Sequence, residues 1–148
     1  MAAALIDTNL LVYAHDPGDP AKAERAIETL DHSQSTQAGR LSAQILAEFF
    51  VVVIRGRGPL LSVRRAIRQI DLLSRAFQVL DITQMIVLEA TRGVRAHQFS
   101  YWDSQIWASA RLHQIPVVLT EDFQDGASIE GVRFVNPFAS TVPVAELF

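Results

Sequence analysis

The chain alternates short apolar runs with longer stretches of helical periodicity, and that alternation leaves few folds open to it. Ala3-Ala4-Leu5-Ile6 is a brief buried strand that meets Asp7 at once, and Val117-Val118-Leu119 is another that runs through Thr120 into Glu121 and Asp122. Between them lie a second strand near Arg40 to Ala43, a third at Phe77 to Ile82 and, after them, a last one at Val132 to Val135. Helices are predicted from Pro20, where proline suits a first turn, from Gln44 to Ile54, after the break Gly56-Arg57-Gly58-Pro59, from Thr83 towards His97, and from Tyr101 to about Gln114. For Gln44 to Ile54 the β-branched run Val51-Val52-Val53-Ile54 favours strand, whereas length and the spacing of Ala43, Leu46 and Ala47 favour helix, and helix is the reading taken. Strands separated by helices of ten or more residues predict a parallel sheet covered on both faces.

The 148 residues suit one domain, 1–148, with a core at about 3–138 and a tail at 139–148. The apolar run Phe49 to Ile54 is far short of the ~20 residues a membrane span needs, and Met1 to Ile6 lacks the basic lead of a signal peptide. A soluble, cytoplasmic protein is expected. With no cysteine, disulfides, thiol catalysis and Cys-ligated zinc are excluded.

In an open α/β sheet, ligands bind beyond the carboxyl ends of the strands. That rule gathers Asp7 with Glu121 and Asp122 from opposite ends of the sequence. Asp103 lies among Tyr101, Trp102, Ile106 and Trp107, and Glu48 among Ile45, Leu46, Phe49 and Phe50, where a bare charge is expensive. Each acid also has a plainer use: Asp7 or Asp103 as a helix cap, Glu48 on a solvated helix face. Clustered carboxylates repel, by about 4 kcal/mol for a pair ~4 Å apart at an effective dielectric of 20. Protons or a cation must offset that repulsion, and all-oxygen ligands select Mg²⁺ or Mn²⁺. His15, His32, His97 and His113 show no metal-ligand spacing.

Charge is unevenly spread. Residues 1–48 and 76–148 each carry a net −4, and residues 49–75 carry +5, all from arginine. Arg57, Arg64, Arg68 and Arg75 are candidate contacts to RNA phosphates; the same stripe serves equally as a solvated face in which Asp71 pairs with Arg68 and Arg75, or as a docking face for a protein. Tyr13, Trp102 and Trp107 are candidate stacking platforms, with core packing the expected fate of at least one tryptophan.

Leu5-Ile6-Asp7-Thr8-Asn9-Leu10-Leu11-Val12-Tyr13, Leu46-Ala47-Glu48-Phe49, Tyr101-Trp102-Asp103 and Leu119-Thr120-Glu121-Asp122-Phe123 together resemble the successive motifs of PIN-domain ribonucleases, and within them the VapC-type toxins of bacterial toxin–antitoxin pairs. The resemblance covers about residues 3 to 138. It implies a five-stranded parallel sheet between helices and a metal-dependent endoribonuclease, in which Mg²⁺ or Mn²⁺ activates the water that attacks phosphorus. Carried over motif by motif, Asp7, Glu48, Asp103 and Asp122 are the acidic quartet that holds the metal, Asp125 is a further ligand or a residue behind one, and Thr8, Asn9 and Thr120 are supporting polar groups. Glu121 is set aside because the motif places its acid one residue later. The resemblance further implies a homodimer inhibited by a small antitoxin protein. The rival reading is a PIN-like module that binds RNA or protein without useful catalysis. An aspartyl phosphatase also begins strand–Asp, but it has a second Asp where this chain has Asn9 and a late lysine where this chain has none, Lys22 being its sole lysine.

Overall fold

The computed structural model describes residues 2–139 and 141–148; Met1 and Ser140, both within the predicted domain, lie outside the described residues. The chain runs β1 (Ala4–Ile6), α1 (Thr8–Tyr13), α2 (Pro20–Ser35), β2 (Gly39–Ser42), α3 (Ala43–Ile54), α4 (Val63–Ala76), β3 (Gln78–Leu80), α5 (Gln84–His97), α6 (Tyr101–Leu112), β4 (Val117–Leu119), β5 (Ser128–Ile129) and β6 (Val132–Val135), then a 3₁₀ turn at Val144–Glu146. The strand order is β3-β2-β1-β4-β6-β5. Five strands are parallel, as expected, and the two-residue β5 adds an antiparallel edge to β6. The chain leaves β1 for β2 and β3 on one side and returns to β4 on the other, so the order reverses between β1 and β4. That reversal opens a crevice at the carboxyl ends of these two central strands.

Local chemistry accounts for most boundaries. Ser42, Ser62, Thr83 and Ser100 cap α3, α4, α5 and α6, each accepting a backbone N–H from the third residue of its helix. The Ser62 cap moves the start of α4 to Val63, beyond the Gly56–Pro59 break where the sequence placed it. α3 is a helix despite its β-branched run, because Ile45, Phe49 and Val53 recur at helical spacing and are fully buried. The core is one cluster with Leu5, Ile6, Phe49, Trp107 and Phe134 among its fully buried members.

Three features depart from the sequence reading. Thr8–Tyr13 forms the short helix α1, capped by Asp7, whose Oδ1 accepts the Thr8 N–H at 2.7 Å. Of Val63, Ile67, Ile70 and Leu73 or Leu72, whose spacing predicts the apolar face of α4, Ile70 and Leu73 pack against the core, whereas Val63, Ile67 and Leu72 are 53%, 57% and 50% exposed, and Ala66 is the residue of that helix which is buried. Gly93, whose low helix propensity predicts a mild weakness in α5, sits where the helix meets α6: a Cβ there would lie 2.7 and 2.9 Å from the Trp107 ring and closer still to Ser104 Oγ. The tail folds back. Val144 and Leu147 are buried, and the Arg25 guanidinium of α2 donates to the carbonyls of Pro137 (2.9 Å) and Val142 (2.6 Å).

Candidate active site

Four segments bring their acids to the crevice. Asp7 leaves β1, Thr120-Glu121-Asp122 leave β4, Glu48 stands on the second turn of α3, and Asp103 is the third residue of α6. Asp103 therefore does not cap its helix, since Ser100 does; it sits in the first turn, where a negative charge meets the helix dipole favourably. All four, with Asp16 and Glu121, line a cavity of about 1080 Å³. Val12, Val51, Val52, Ile82, Val87 and Ile106 form its apolar wall, and among the described residues no arginine, lysine or histidine lines it.

A polar lattice spaces these acids. Thr120 Oγ1 donates to Asp7 Oδ2 at 2.7 Å and accepts the Asp122 N–H at 3.1 Å. The Asn9 amide reaches Asp7 Oδ2 (3.5 Å), Thr120 Oγ1 (3.3 Å) and Asp122 Oδ2 (3.2 Å). Thr8 Oγ1 donates to Glu48 Oε2 at 2.9 Å. Thr8, Asn9 and Thr120 thus each bond to at least one of the four acids. The sequence reading missed Gln44. It is buried, its Nε2 donates to Glu48 Oε1 (2.8 Å) and to the Trp102 carbonyl (3.1 Å), and its Oε1 accepts from Gln105 Nε2 (2.9 Å). The signal was available: Gln44 precedes Glu48 by four residues on one helix face.

Burial sets the electrostatics. Asp7 is 3% exposed, and desolvation pushes its pKa from 3.8 up to about 7, against the opposing hydrogen bonds from Thr120 and the Thr8 N–H; the charges of Asp122 and Glu48 push the same way as burial. Asp103 is also raised, first by burial and then by Asp122 and Glu48, with the Ser100 hydrogen bond opposing. Burial and neighbouring negative charge thus disfavour the ionised form of both acids, and a cation among them would act in the opposite sense.

Oxygen is the only donor type in the set, and Asn9 Oδ1 is buried without a partner, so the chemistry fits a hard divalent cation. The acids nevertheless face a common cavity rather than a common point. Among the described residues no three carboxylate or imidazole groups stand close enough to hold one ion, because Thr8, Asn9 and Thr120 sit between them.

The remaining candidates fall elsewhere. Asp125 is exposed and accepts the Asn136 N–H at 2.8 Å, outside the cavity lining. Arg57, Arg64 and Arg68 are exposed and do not line the cavity either. Arg75 pairs with Asp71 at 3.2 Å and borders a small recess with Gly39 and Gln78, at the amino-terminal edge of the sheet, opposite the carboxylates. Of the aromatic candidates, Trp107 is core, whereas Trp102 is 61% exposed on the cavity rim with Tyr101 braced edge-on at 5.0 Å.

The PIN domain family model matches residues 4–124. The chain belongs to the PIN domain family. Solved structures of the same fold include a toxin–antitoxin complex from Klebsiella pneumoniae (22% identity, TM-score 0.66, covering 91% of this chain and 98% of that one). They also include Mycobacterium tuberculosis VapC20, described as a sarcin-ricin loop cleaving toxin (18%, 0.65, 86% and 98%), and DNA-bound VapBC from Salmonella typhimurium (18%, 0.64, 90% and 97%). Comparison with curated proteins finds no match. No helix among the described residues is long and apolar enough to cross a membrane.

Proposed function

We propose that this PIN domain is a metal-dependent endoribonuclease and the toxin of a toxin–antitoxin pair. The observation that carries the reading is the meeting of Asp7, Glu48, Asp103 and Asp122, from four separate segments, in one cavity that no cationic side chain among the described residues lines. Family membership supports a nuclease, and the toxin–antitoxin complexes among structures of the same fold support the biological setting.

Asp7, Glu48, Asp103 and Asp122 would hold Mg²⁺ or Mn²⁺. The bound ion would lower the pKa of a coordinated water and offset charge on the phosphoryl group. Thr8 and Gln44 orient Glu48, and Thr120 and Asn9 orient Asp7 and Asp122. Apolar side chains form one wall of the crevice, and the exposed Trp102 offers an aromatic face to an unpaired base beside Asp103. The uncovered apolar residues Val63, Ile67 and Leu72 of α4 supply surface for a protein partner, the antitoxin or the second subunit of a homodimer.

The test is cleavage of a structured RNA pool by the purified protein, with Mg²⁺ or Mn²⁺, against EDTA and Asp7→Asn controls. Discrete fragments requiring both metal and Asp7 are expected. Either metal should also raise the melting temperature, by the equivalent of about 2.7 kcal/mol at a hundredfold excess over its Kd. The second reading, a binding module without catalysis, draws on the spacing of the acids and the apolar wall. RNA retained uncut by metal-loaded protein would favour it.

A further inference from the structure

Glu121 and Asp16 are the acids of the cavity that no role has yet absorbed, and the chain's one lysine pairs with Glu121. Lys22, in the first turn of α2, places Nζ 2.8 Å from Glu121 Oε2 and 3.2 Å from Tyr13 Oη. Tyr13, at the end of α1, donates to Glu121 Oε1 at 2.7 Å, so both carboxylate oxygens are engaged. The ammonium also lies over the Tyr13 ring, 4.5 Å from its centroid, and 5.4 Å from that of Phe138; the two rings meet edge-on at 5.1 Å. Lys22 and Glu121 are 34% and 22% exposed, so the pair is partly shielded and geometrically fixed from three sides.

Its position gives the arrangement meaning. Glu121 stands between Thr120, which holds Asp7, and Asp122, which shares Asn9 with Asp7. Glu121 lies in the bend that follows β4, with Asp122 next to it in the chain, so tying Glu121 to α1 and α2 restrains the backbone that carries Asp122. The same clamp joins the far end of α1, the helix that starts with Asp7, Thr8 and Asn9. Without Lys22, Glu121 would keep the Tyr13 hydrogen bond but lose its countercharge, leaving a charge-uncompensated carboxylate on the cavity wall, one residue from Asp122 and able to compete with it for a cation or for Asn9.

We infer that Lys22 is a positioning residue: by binding Glu121 together with Tyr13, it keeps that carboxylate out of the metal-holding set and fixes the aim of Asp122. The inference rests on the proposed metal-dependent ribonuclease reading and says which of two adjacent acids serves it.

The test compares full-length wild type, Lys22→Met, Lys22→Arg and the double variant Lys22→Met with Glu121→Gln. Two quantities are read: kcat and KM for an RNA that wild type cleaves, and the Mn²⁺ concentration giving half of the metal-induced rise in melting temperature, without RNA. Lys22→Met should lower kcat about tenfold, as small misplacements of reacting groups do, with KM within about twofold. It should also move the Mn²⁺ midpoint at least about threefold, because a fifth carboxylate has been released beside the site. Lys22→Arg, which keeps the cation, and the double variant, which removes the released charge, should each recover most of both losses. A brace that only stabilised the fold would lower the melting temperature and leave the Mn²⁺ midpoint in place. A folded Lys22→Met with wild-type kcat and midpoint overturns the inference, as does a loss that Glu121→Gln fails to restore. If Lys22→Met does not fold, Lys22→Arg with a tenfold loss overturns it and near-wild-type behaviour supports it. Wild type that neither cleaves RNA nor responds to Mn²⁺ removes the ribonuclease reading itself, which the variants alone cannot do.

Discussion

Two clusters of charge on this molecule use the same side chains to opposite ends. On the outer faces of α5 and α6, Arg92, Arg111 and His97 surround Glu89 and Glu130: Glu130 receives Arg92 at 2.9 Å and His97 at 2.6 Å, Arg111 reaches Glu89 at 3.0 Å, and Arg92 also bonds Glu89. Arg92 and Arg111 lie over the Trp107 ring as well, at 5.5 and 6.0 Å from its centroid. There each acid has its cation. Among the described residues the crevice lining holds six acids and no cation, and of those acids only Glu121 has a salt bridge, from outside, to Lys22. Balanced charge accompanies the packing of two helices, whereas unbalanced charge is retained where the sheet order reverses and a ligand can enter. An acid without a protein partner is the more informative one.

The two clusters should answer pH in opposite senses. Asp7, raised from 3.8 to about 7 by burial, stays protonated in the fold while the unfolded chain ionises. Its contribution is therefore fully present below about pH 4 and lost as pH rises towards 7, a change of about 4 kcal/mol across that window in metal-free protein. Glu130 is held below its ordinary 4.5, first by His97 and then by Arg92, so its contribution is present above that value and lost as pH falls.

Asp7→Asn gives the largest expected effect. The amide still caps α1, but cleavage should drop by at least about a hundredfold, and urea unfolding without metal should show the variant more stable than wild type at pH 8 by up to about 4 kcal/mol, with the gap closing at pH 4. A variant that unfolds alike at both pH values while wild type does not would sharpen the contrast; equal pH dependence would break it. Gly93→Ala comes next. The added methyl has no room against Trp107 and Ser104, and overpacking should cost about 2 kcal/mol in chemical denaturation despite alanine's better helix propensity. Its cleavage rate per folded molecule should stay at the wild-type level, since it touches only the balanced side. Glu130→Gln is the smallest. Its partners are solvent-exposed, so the loss should stay below about 1 kcal/mol at pH 7, read as a shift of melting temperature, with cleavage unchanged. A large loss of activity from Glu130→Gln would mean that the two regions are not separate.

Much of this was legible in the sequence. The apolar runs that became β1 and β4 are uninterrupted and buried, β6 is broken only by the exposed Arg133, and the acids after β1 and β4 met at the edge where the strand order placed them. Helix won over strand in α3 because periodic burial outweighed propensity. What stayed hidden has physical causes. α1 is six residues long, too short for periodicity to register, and its cap is itself a site residue. Gly93 carries a cost in an isolated helix and a necessity in a helix pair, and only the pair reveals which. Lys22 acts across 99 residues of sequence, and the bond from Gln44 to the Trp102 carbonyl spans 58, distances over which no local pattern speaks, although the four-residue spacing of Gln44 and Glu48 was there to be read. The arginine-rich middle misled in part because composition does not tell which edge of the sheet a helix end will reach: Arg75 lies at the one away from the acids.

Asn9 leaves a last piece of bookkeeping open. Its amide has two hydrogens, and three oxygens stand within reach of them: those of Asp7, Thr120 and Asp122, all at 3.2 Å or more. One oxygen must always go short. Whatever occupies Asp7 releases a hydrogen to Asp122, and whatever occupies Asp122 releases one to Asp7. The two acids, 115 residues apart along the chain, are thereby placed on a see-saw whose pivot is a single side chain, so that neither can be filled or emptied without the other feeling it.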